Sequence, residues 1–243
     1  MTKQITLITG STRGIGKQIG LDLLAKGHYV IFTGRLLETS MLFEVELKEK
    51  GYLNTDYFIF RTTDMSYKTD IDEFINFLLN KVNYIDNIIF NVGATCRKDF
   101  NALTVDDFQS VIQTNMLFPV HIISKLSDII KKRIVFIGSV LGHTTKGTSI
   151  PYAISKGSLE ILTKHLAKEF ASRNVTVNTI APGFTNTSWH DNKSEEQIQR
   201  IKEQILLKRF ATSREISHAC QFIIENDYFN GQTLCVDGGF NFE

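Results

Sequence analysis

Along the chain, short apolar runs alternate with longer stretches in which apolar residues recur every three or four positions. The first run, Ile5–Thr9, predicts a strand. Ile15, Ile19, Leu23 and Leu24 then share one face of a predicted helix over Gly14–Lys26. Further strands are predicted at Tyr29–Thr33, Tyr57–Arg61, Asn87–Asn91, Arg133–Gly138, Val175–Ala181 and Thr233–Val236. Helices are predicted at Thr39–Lys50, Lys68–Lys81, Val105–Lys125 and Tyr152–Ser172. The run Ile134–Gly138 reads IVFIG, continuous rather than alternating, as expected of a strand buried on both faces of a parallel sheet. Repeated strand–helix alternation predicts an α/β fold: one doubly wound parallel sheet with helices on both faces. No repeat or linker divides the chain, so residues 1–243 read as one domain. Asn186–Lys208 is a polar, mostly helical insertion between late elements.

Composition narrows the partners. Lys and Arg number 27 against 26 for Asp and Glu, a net charge of +1, which gives no electrostatic reason to expect nucleic acid or an anionic membrane. A 42% hydrophobic content argues against disorder. The opening MTKQITLITG reads as a strand rather than a signal peptide, and no stretch of about 18 apolar residues predicts a membrane span. Cys96, Cys220 and Cys235 form no CxxC pair, which argues against zinc, a disulfide framework or any other metal site and points to a reducing cytoplasm. Cys220 and Cys235 read as small buried hydrophobes.

In such a sheet the ligand binds beyond the carboxyl ends of the strands, so the residues just after each strand carry the chemistry. After the first strand, Gly10, Ser11, Thr12, Arg13, Gly14, Ile15 and Gly16 lead directly into a helix. Glycines let this backbone approach a pyrophosphate, and the helix N-terminus presents free N–H groups to it. The second strand ends in Thr33-Gly34-Arg35, without the acid that would bind a free ribose 2′-hydroxyl. Arg35, with Arg13, suits the 2′-phosphate of NADP(H) instead. Tyr152 and Lys156 lie four apart, on one face of a helix, and Ser139 precedes Tyr152 by 13 residues. A carbonyl that accepts a hydride needs a proton, which a phenol can give. An ammonium nearby lowers the phenol pKa, and a serine hydroxyl can hold the carbonyl oxygen.

These residues resemble the short-chain dehydrogenase/reductase family along essentially the whole chain. The motifs are TGSTRGIG, GSV at Ser139, YAISK, NTIAPGFT from Asn178 and VDGG from Val236. The resemblance implies a Rossmann fold and a catalytic set of Asn115, Ser139, Tyr152 and Lys156, with Asn115 sustaining a water chain behind the lysine. It implies that Asp64 and Met65 bracket adenine, that Asn91 and Gly93 adjoin the cofactor together with Tyr152 and Lys156, and that Ile180, Pro182, Gly183, Thr185 and Thr187 lie against the nicotinamide. Phe90 and Val92 depart from the family's Asn-Asn-Ala-Gly pattern, and Cys96 just beyond is placed to line the substrate pocket. Within the family, bacterial 3-oxoacyl-(acyl-carrier-protein) reductases of fatty acid biosynthesis look most similar. That likeness, which the basic stretch Lys131-Lys132-Arg133 shares, implies an acyl-carrier-bound substrate received by basic residues near the entrance, Arg173 among them. It also implies a homotetramer built partly on the helices over Val105–Lys125 and Tyr152–Ser172. Leu159, Leu162, Leu166 and Phe170 form a stripe that serves as core or as interface. Three readings stay open: a carrier-dependent ketoreductase, a reductase of another small carbonyl compound such as a secondary metabolite, sugar or steroid, and a non-catalytic NADPH-binding regulator.

Overall fold

The computed structural model describes residues 3–52, 54–147 and 149–241. Met1, Thr2, Leu53, Thr148, Phe242 and Glu243, which the expected 1–243 domain includes, lie outside the described residues. The first half runs β1 (Ile5–Ile8), α1 (Gly14–Ala25), β2 (Tyr29–Gly34), α2 (Leu37–Glu49), a single turn α3 (Asn54–Tyr57), β3 (Phe58–Thr62), α4 (Lys68–Lys81) and β4 (Ile85–Phe90). The second half runs α5 (Val105–Ile112), α6 (Phe118–Leu126), β5 (Ile130–Ile137), α7 (Ile150–Phe170), β6 (Thr176–Pro182), α8 (Glu195–Gln204), α9 (Ser213–Glu225) and β7 (Thr233–Val236).

All seven strands form one parallel sheet in the order β3-β2-β1-β4-β5-β6-β7. The chain winds outward from β1 through β2 and β3, then restarts at β4 on the other side. The crevice of a doubly wound sheet opens at that reversal. Register places Leu7 beside Ile31 and Ile88 on one face, and Ile8 beside Phe32 and Ile89 on the other. Apolar side chains on both faces are what the continuous apolar runs require. The first face packs against α4, α6 and α7 through Phe74, Leu78, Ile122, Leu126, Leu159 and Phe170. The second packs against α1, α2 and α9 through Ile19, Leu23, Phe43, Ile216, Cys220 and Ile223. The insertion after β6 closes a third, smaller core of Val140, Ala181, Ile205 and Phe240.

Two helices and one cysteine differ from expectation. The helix expected over Val105–Lys125 is broken into α5 and α6 by a π-helical segment, Gln113–Leu117. Pro119 explains the break: it has no N–H to donate to the Asn115 carbonyl four residues back, so the helix widens there. Helix α9 is absent from the predicted elements, yet its start is written in a capping box. The Thr212 hydroxyl accepts the Glu215 N–H at 3.2 Å, and the Glu215 carboxylate accepts the Thr212 N–H at 2.7 Å. Cys220 is fully buried as expected, and burial pushes its thiol up to about 12. Cys235, expected to be buried, is exposed, because β7 is an edge strand that pairs only with β6. No helix among the described residues is long and apolar enough to cross a membrane.

Candidate active site

A cleft of about 590 Å³ opens beyond the carboxyl ends of the strands, lined from the turn after β1 to the segment after β6. Its floor at one end is the glycine turn. Gly10 and Gly14 have φ of +62° and +56°, a left-handed backbone that favours glycine. A Cβ at Gly16 would lie 2.5 Å from Asn91 Nδ2 and 2.6 Å from the Gly10 carbonyl, so the turn closes only around a bare backbone. Asn91 donates from Nδ2 to the Gly10 carbonyl at 2.7 Å, which ties the end of β4 to the turn. The Ser11 side chain is turned inward: its hydroxyl donates to Ile8 O at 2.9 Å and accepts the Thr33 N–H at 3.0 Å. Ser11 and Gly16, expected as cofactor contacts, thus shape the turn from behind. Thr12, Arg13, Gly14 and Ile15 face the cleft.

At the far end the cleft is bounded by Arg35, Thr63, Asp64 and Met65. A Cβ at Gly34 would stand 2.4 Å from Thr12 Cγ2 and 2.8 Å from Ser40 Oγ, which leaves no room for an acidic side chain. Arg13 and Arg35 are both exposed, and neither has an ion-pair partner among the described residues. The Thr63 hydroxyl is buried without a hydrogen-bond partner. That orphaned group was not singled out from the sequence. The only signal for it was its place between a strand end and Asp64. An extended, turn-bound anion with a polar group beside Thr63 and a second phosphate near the arginines satisfies all of these features, so the residues fit a dinucleotide with a 2′-phosphate.

The chemistry-bearing side chains gather at the middle of the cleft. Helix α7 starts where the Ser149 hydroxyl accepts the Tyr152 N–H at 3.3 Å, with Pro151 in the first turn. Tyr152 and Lys156 therefore sit one above the other on the first turns. The Tyr152 phenol is partly buried and lies beside Ser139. Burial raises its pKa above the usual 10.0, while the Ser139 hydroxyl and the charge of Arg97 act in the lowering direction. Ser139 also accepts the Leu141 N–H at 3.2 Å, which fixes its side chain just after β5. Lys156 lies with Nζ 5.9 Å from the Tyr152 ring centre and donates to the Ile137 carbonyl at 2.7 Å. Burial lowers its pKa to about 8. The groups that act in the lowering direction on Tyr152 are Ser139 and Arg97; Lys156, expected to be one and itself lowered to about 8, is not among them.

Asn115 is buried on the π-helical segment. Its Oδ1 accepts the Ala94 N–H at 2.7 Å, and Nδ2 donates to the Ala94 carbonyl at 2.9 Å and to Ser155 Oγ at 2.8 Å. It is thus pinned behind the cleft wall rather than bonded to Lys156. Gly93 stands between the two: a Cβ there would be 3.6 Å from Lys156 Nζ and 3.9 Å from Asn115 Oδ1. Pro182, Gly183, Thr185 and Thr187 line the facing wall, and Thr187 reaches the glycine turn, 3.3 Å from where a Gly14 Cβ would lie. Ile180, expected against the nicotinamide, is instead core on the α9 side of the sheet.

The remaining residues divide. Phe90 is buried and stacks on Phe136 with ring centres 5.4 Å apart, and Val92 packs over Gly10, so neither departure from the family pattern obstructs the cleft. Cys96 is half-buried next to Thr95, which lines the cleft, and its carbonyl accepts the Ser149 hydroxyl. Arg173 lies just past the C-terminal end of α7, the end opposite Tyr152, and donates to the Ser127 carbonyl at 2.8 Å. Arg133 is buried against Ile224 and Asp227. Neither basic residue stands at the entrance of this chain's own cleft.

Residues 4–198 match the family model of the short chain dehydrogenases. The chain is 34% identical over 244 residues to the 3-oxoacyl-[acyl-carrier-protein] reductase of Aquifex aeolicus, covering 97% of this chain and 96% of that one. It is 32% identical over 245 residues to the enzyme of the same name from Haemophilus influenzae, covering 98% of each. Among solved structures, an NADPH-dependent reductase involved in bacilysin biosynthesis superposes with a TM-score of 0.90 at 21% identity, covering 98% of both chains.

Proposed function

The chain belongs to the short chain dehydrogenase family, and from that premise we propose that it reduces the ketone of a 3-oxoacyl thioester, borne by an acyl carrier protein, to a secondary alcohol with NADPH. The observation that carries this reading is the convergence of Ser139, Tyr152 and Lys156 at the centre of a cleft whose far end offers two unpaired arginines. Full-length similarity to 3-oxoacyl-[acyl-carrier-protein] reductases supports the choice of substrate.

NADPH, when bound, supplies the hydride to the carbonyl carbon. Gly10, Thr12, Arg13, Gly14 and Ile15 would hold its pyrophosphate, and Arg13 with Arg35 its 2′-phosphate. Asp64 and Met65 would bracket adenine, and Asn91, Gly93, Pro182, Gly183, Thr185 and Thr187 would shape the nicotinamide end. Tyr152 gives its proton to the carbonyl oxygen. A phenol whose pKa is raised by burial stays protonated through neutrality, which suits an acid in the reducing direction. Ser139, beside the phenol, orients the same oxygen. Lys156, buried beside both, would hold the nicotinamide ribose. Asn115, pinned to Ala94 and Ser155, would sustain the proton path behind Lys156.

The test is consumption of NADPH with an acetoacetyl carrier thioester, ethyl acetoacetate and a panel of simple ketones. The thioester should have the highest kcat/KM. Turnover confined to the simple ketones would overturn the substrate assignment, and binding of NADPH with no turnover of any compound would favour a regulator.

A further inference from the structure

We propose that Arg97, His190 and Lys193 form a subsite at the mouth of the cleft for a second, anionic group on the carbonyl substrate, a carboxylate or a phosphate ester. The proposal rests on the reading of Tyr152 as proton donor and specifies what the substrate carries beside its carbonyl. The same chemistry occurs on a free oxo acid and on the phosphopantetheine arm of a thioester.

The placement comes from the backbone. The Cys96 carbonyl accepts the hydroxyl of Ser149, the residue that caps α7 one turn before Tyr152. Arg97 follows directly, so its main chain is fixed beside the catalytic turn. His190 and Lys193 come from the opposite wall. A short 3₁₀ turn, Ser188–His190, is capped by the Thr187 hydroxyl, and the Lys193 N–H then donates to the His190 carbonyl at 2.9 Å. The charge of Arg97 is felt at Tyr152, at His190 and at Lys193, and that of Lys193 at His190. Two segments therefore converge near Tyr152: 96–97, tied through Ser149 to the turn that carries it, and 188–193, whose Trp189 ring lies 6.1 Å from the Tyr152 ring.

Two features of this cluster call for an anion. Among the described residues neither Arg97 nor Lys193 has an ion-pair partner, although the adjacent Lys98 is paired with Asp107 at 2.8 Å. Asp191 acts on His190 in the opposite sense but is ion-paired to neither cation. Like charges brought together without a counter-charge repel, and a bound anion relieves that repulsion. The second feature is His190 itself. Its ring packs against Phe184 and Phe210, with centres 5.5 and 5.3 Å away, and lines the cleft. Burial, reinforced by the charges of Lys193 and Arg97, lowers its pKa to about 4, so the ring is neutral at neutral pH. Its Nδ1 is buried without a partner. The subsite requires the tautomer in which Nδ1 keeps its lone pair and Nε2 carries the proton. The wall thus offers a neutral donor flanked by two cations, and Trp189 beside it, 6.1 Å from the Tyr152 ring, covers the apolar part of the substrate.

Trp189 is the chain's sole tryptophan and provides a direct probe. In the enzyme loaded with NADP⁺, its fluorescence should respond to acetoacetate at lower concentration than to ethyl acetoacetate, and added salt should weaken the response. Steady-state kinetics form the second readout, as two ratios of kcat/KM. One compares acetoacetate with ethyl acetoacetate; the other compares the acetoacetyl thioester of phosphopantetheine with that of N-acetylcysteamine. At least one ratio should exceed unity, and which one identifies the source of the anion. Arg97→Ala and Lys193→Ala should each lower that ratio by about fivefold, and Arg97→Lys should restore part of it. If neither fluorescence nor either ratio favours the charged compound, or if both alanine variants leave the ratios unchanged, the subsite does not exist. Undiminished turnover by Tyr152→Phe would instead overturn the reaction reading while leaving these ratios to stand on their own.

Discussion

At the scale of single residues, the chemistry was legible wherever it depended on spacing. Tyr152 and Lys156 are four apart on a helix, and Ser139 ends the strand before it, so their meeting follows from the α/β winding. What spacing could not reveal was environment. The orphaned Thr63 hydroxyl, the neutral His190 and the engagement of Lys156 by Ile137 each depend on burial and on contacts between distant segments. The arginines at the far end of the cleft give a residue-scale prediction. Arg35→Ala should weaken NADPH binding by about tenfold or more, since a charge-assisted contact to phosphate contributes about 1.5–3 kcal/mol. Titration of wild type and variant with NADPH and NADH checks this; a preference for NADPH that survives the substitution would exclude Arg35 as the reader of the 2′-phosphate. A second prediction concerns Gly16. Gly16→Ala would drive a Cβ against Asn91 and the Gly10 carbonyl, so it should impair NADPH affinity and lower the melting temperature together.

Elements were legible where the apolar period was clean, and less so where one residue type overrode it. The run from Val105 reads as continuous helix by period alone, yet Pro119 splits it and the resulting π-helical turn directs Asn115 inward. Pro119→Ala restores the missing N–H donor. It should favour regular helix through 113–117, draw Asn115 from Ala94, and reduce turnover with little loss of stability. Equal turnover in the variant would separate the π segment from function. Helix α9 was missed because its apolar residues are spread among Ser, His and Gln, although its capping box was readable. Thr212→Ala should cost about 1 kcal/mol of stability, as measured by denaturant unfolding, through loss of the cap.

For the whole molecule, the titrating groups set a pH dependence of stability. His28 is buried, and burial holds its pKa below the ordinary 6.5 despite the opposing charge of Asp86; His190 is lowered further, to about 4. The unfolded chain therefore binds these protons before the folded one does. The contribution of these two histidines should be full above about pH 6.5 and be lost as pH falls toward 4. Glu215, held at about 2 chiefly by Arg209, and Asp107, held there chiefly by Lys98, extend the loss below pH 4.5. Thermal melts across this range check the sign, and a melting temperature that rises on acidification would refute it. On assembly, Leu159 and Phe170 of the α7 stripe are consumed by the core, so any partner must meet the other face, where Ile154 and Ile161 are exposed. A homotetramer, as the family resemblance implies, should be seen by light scattering at micromolar concentration.

The central claim is that Tyr152 is the acid of a carbonyl reduction. The most direct test sets the turnover of Tyr152→Phe with an acetoacetyl thioester beside its NADPH dissociation constant. The variant removes only the phenolic hydroxyl and leaves the ring packed near Trp189. Positioned proton transfer is typically worth about 10²–10⁴-fold in rate, so turnover should fall by that factor while NADPH binds nearly as tightly as before. A variant that keeps more than about a tenth of wild-type turnover would contradict the account.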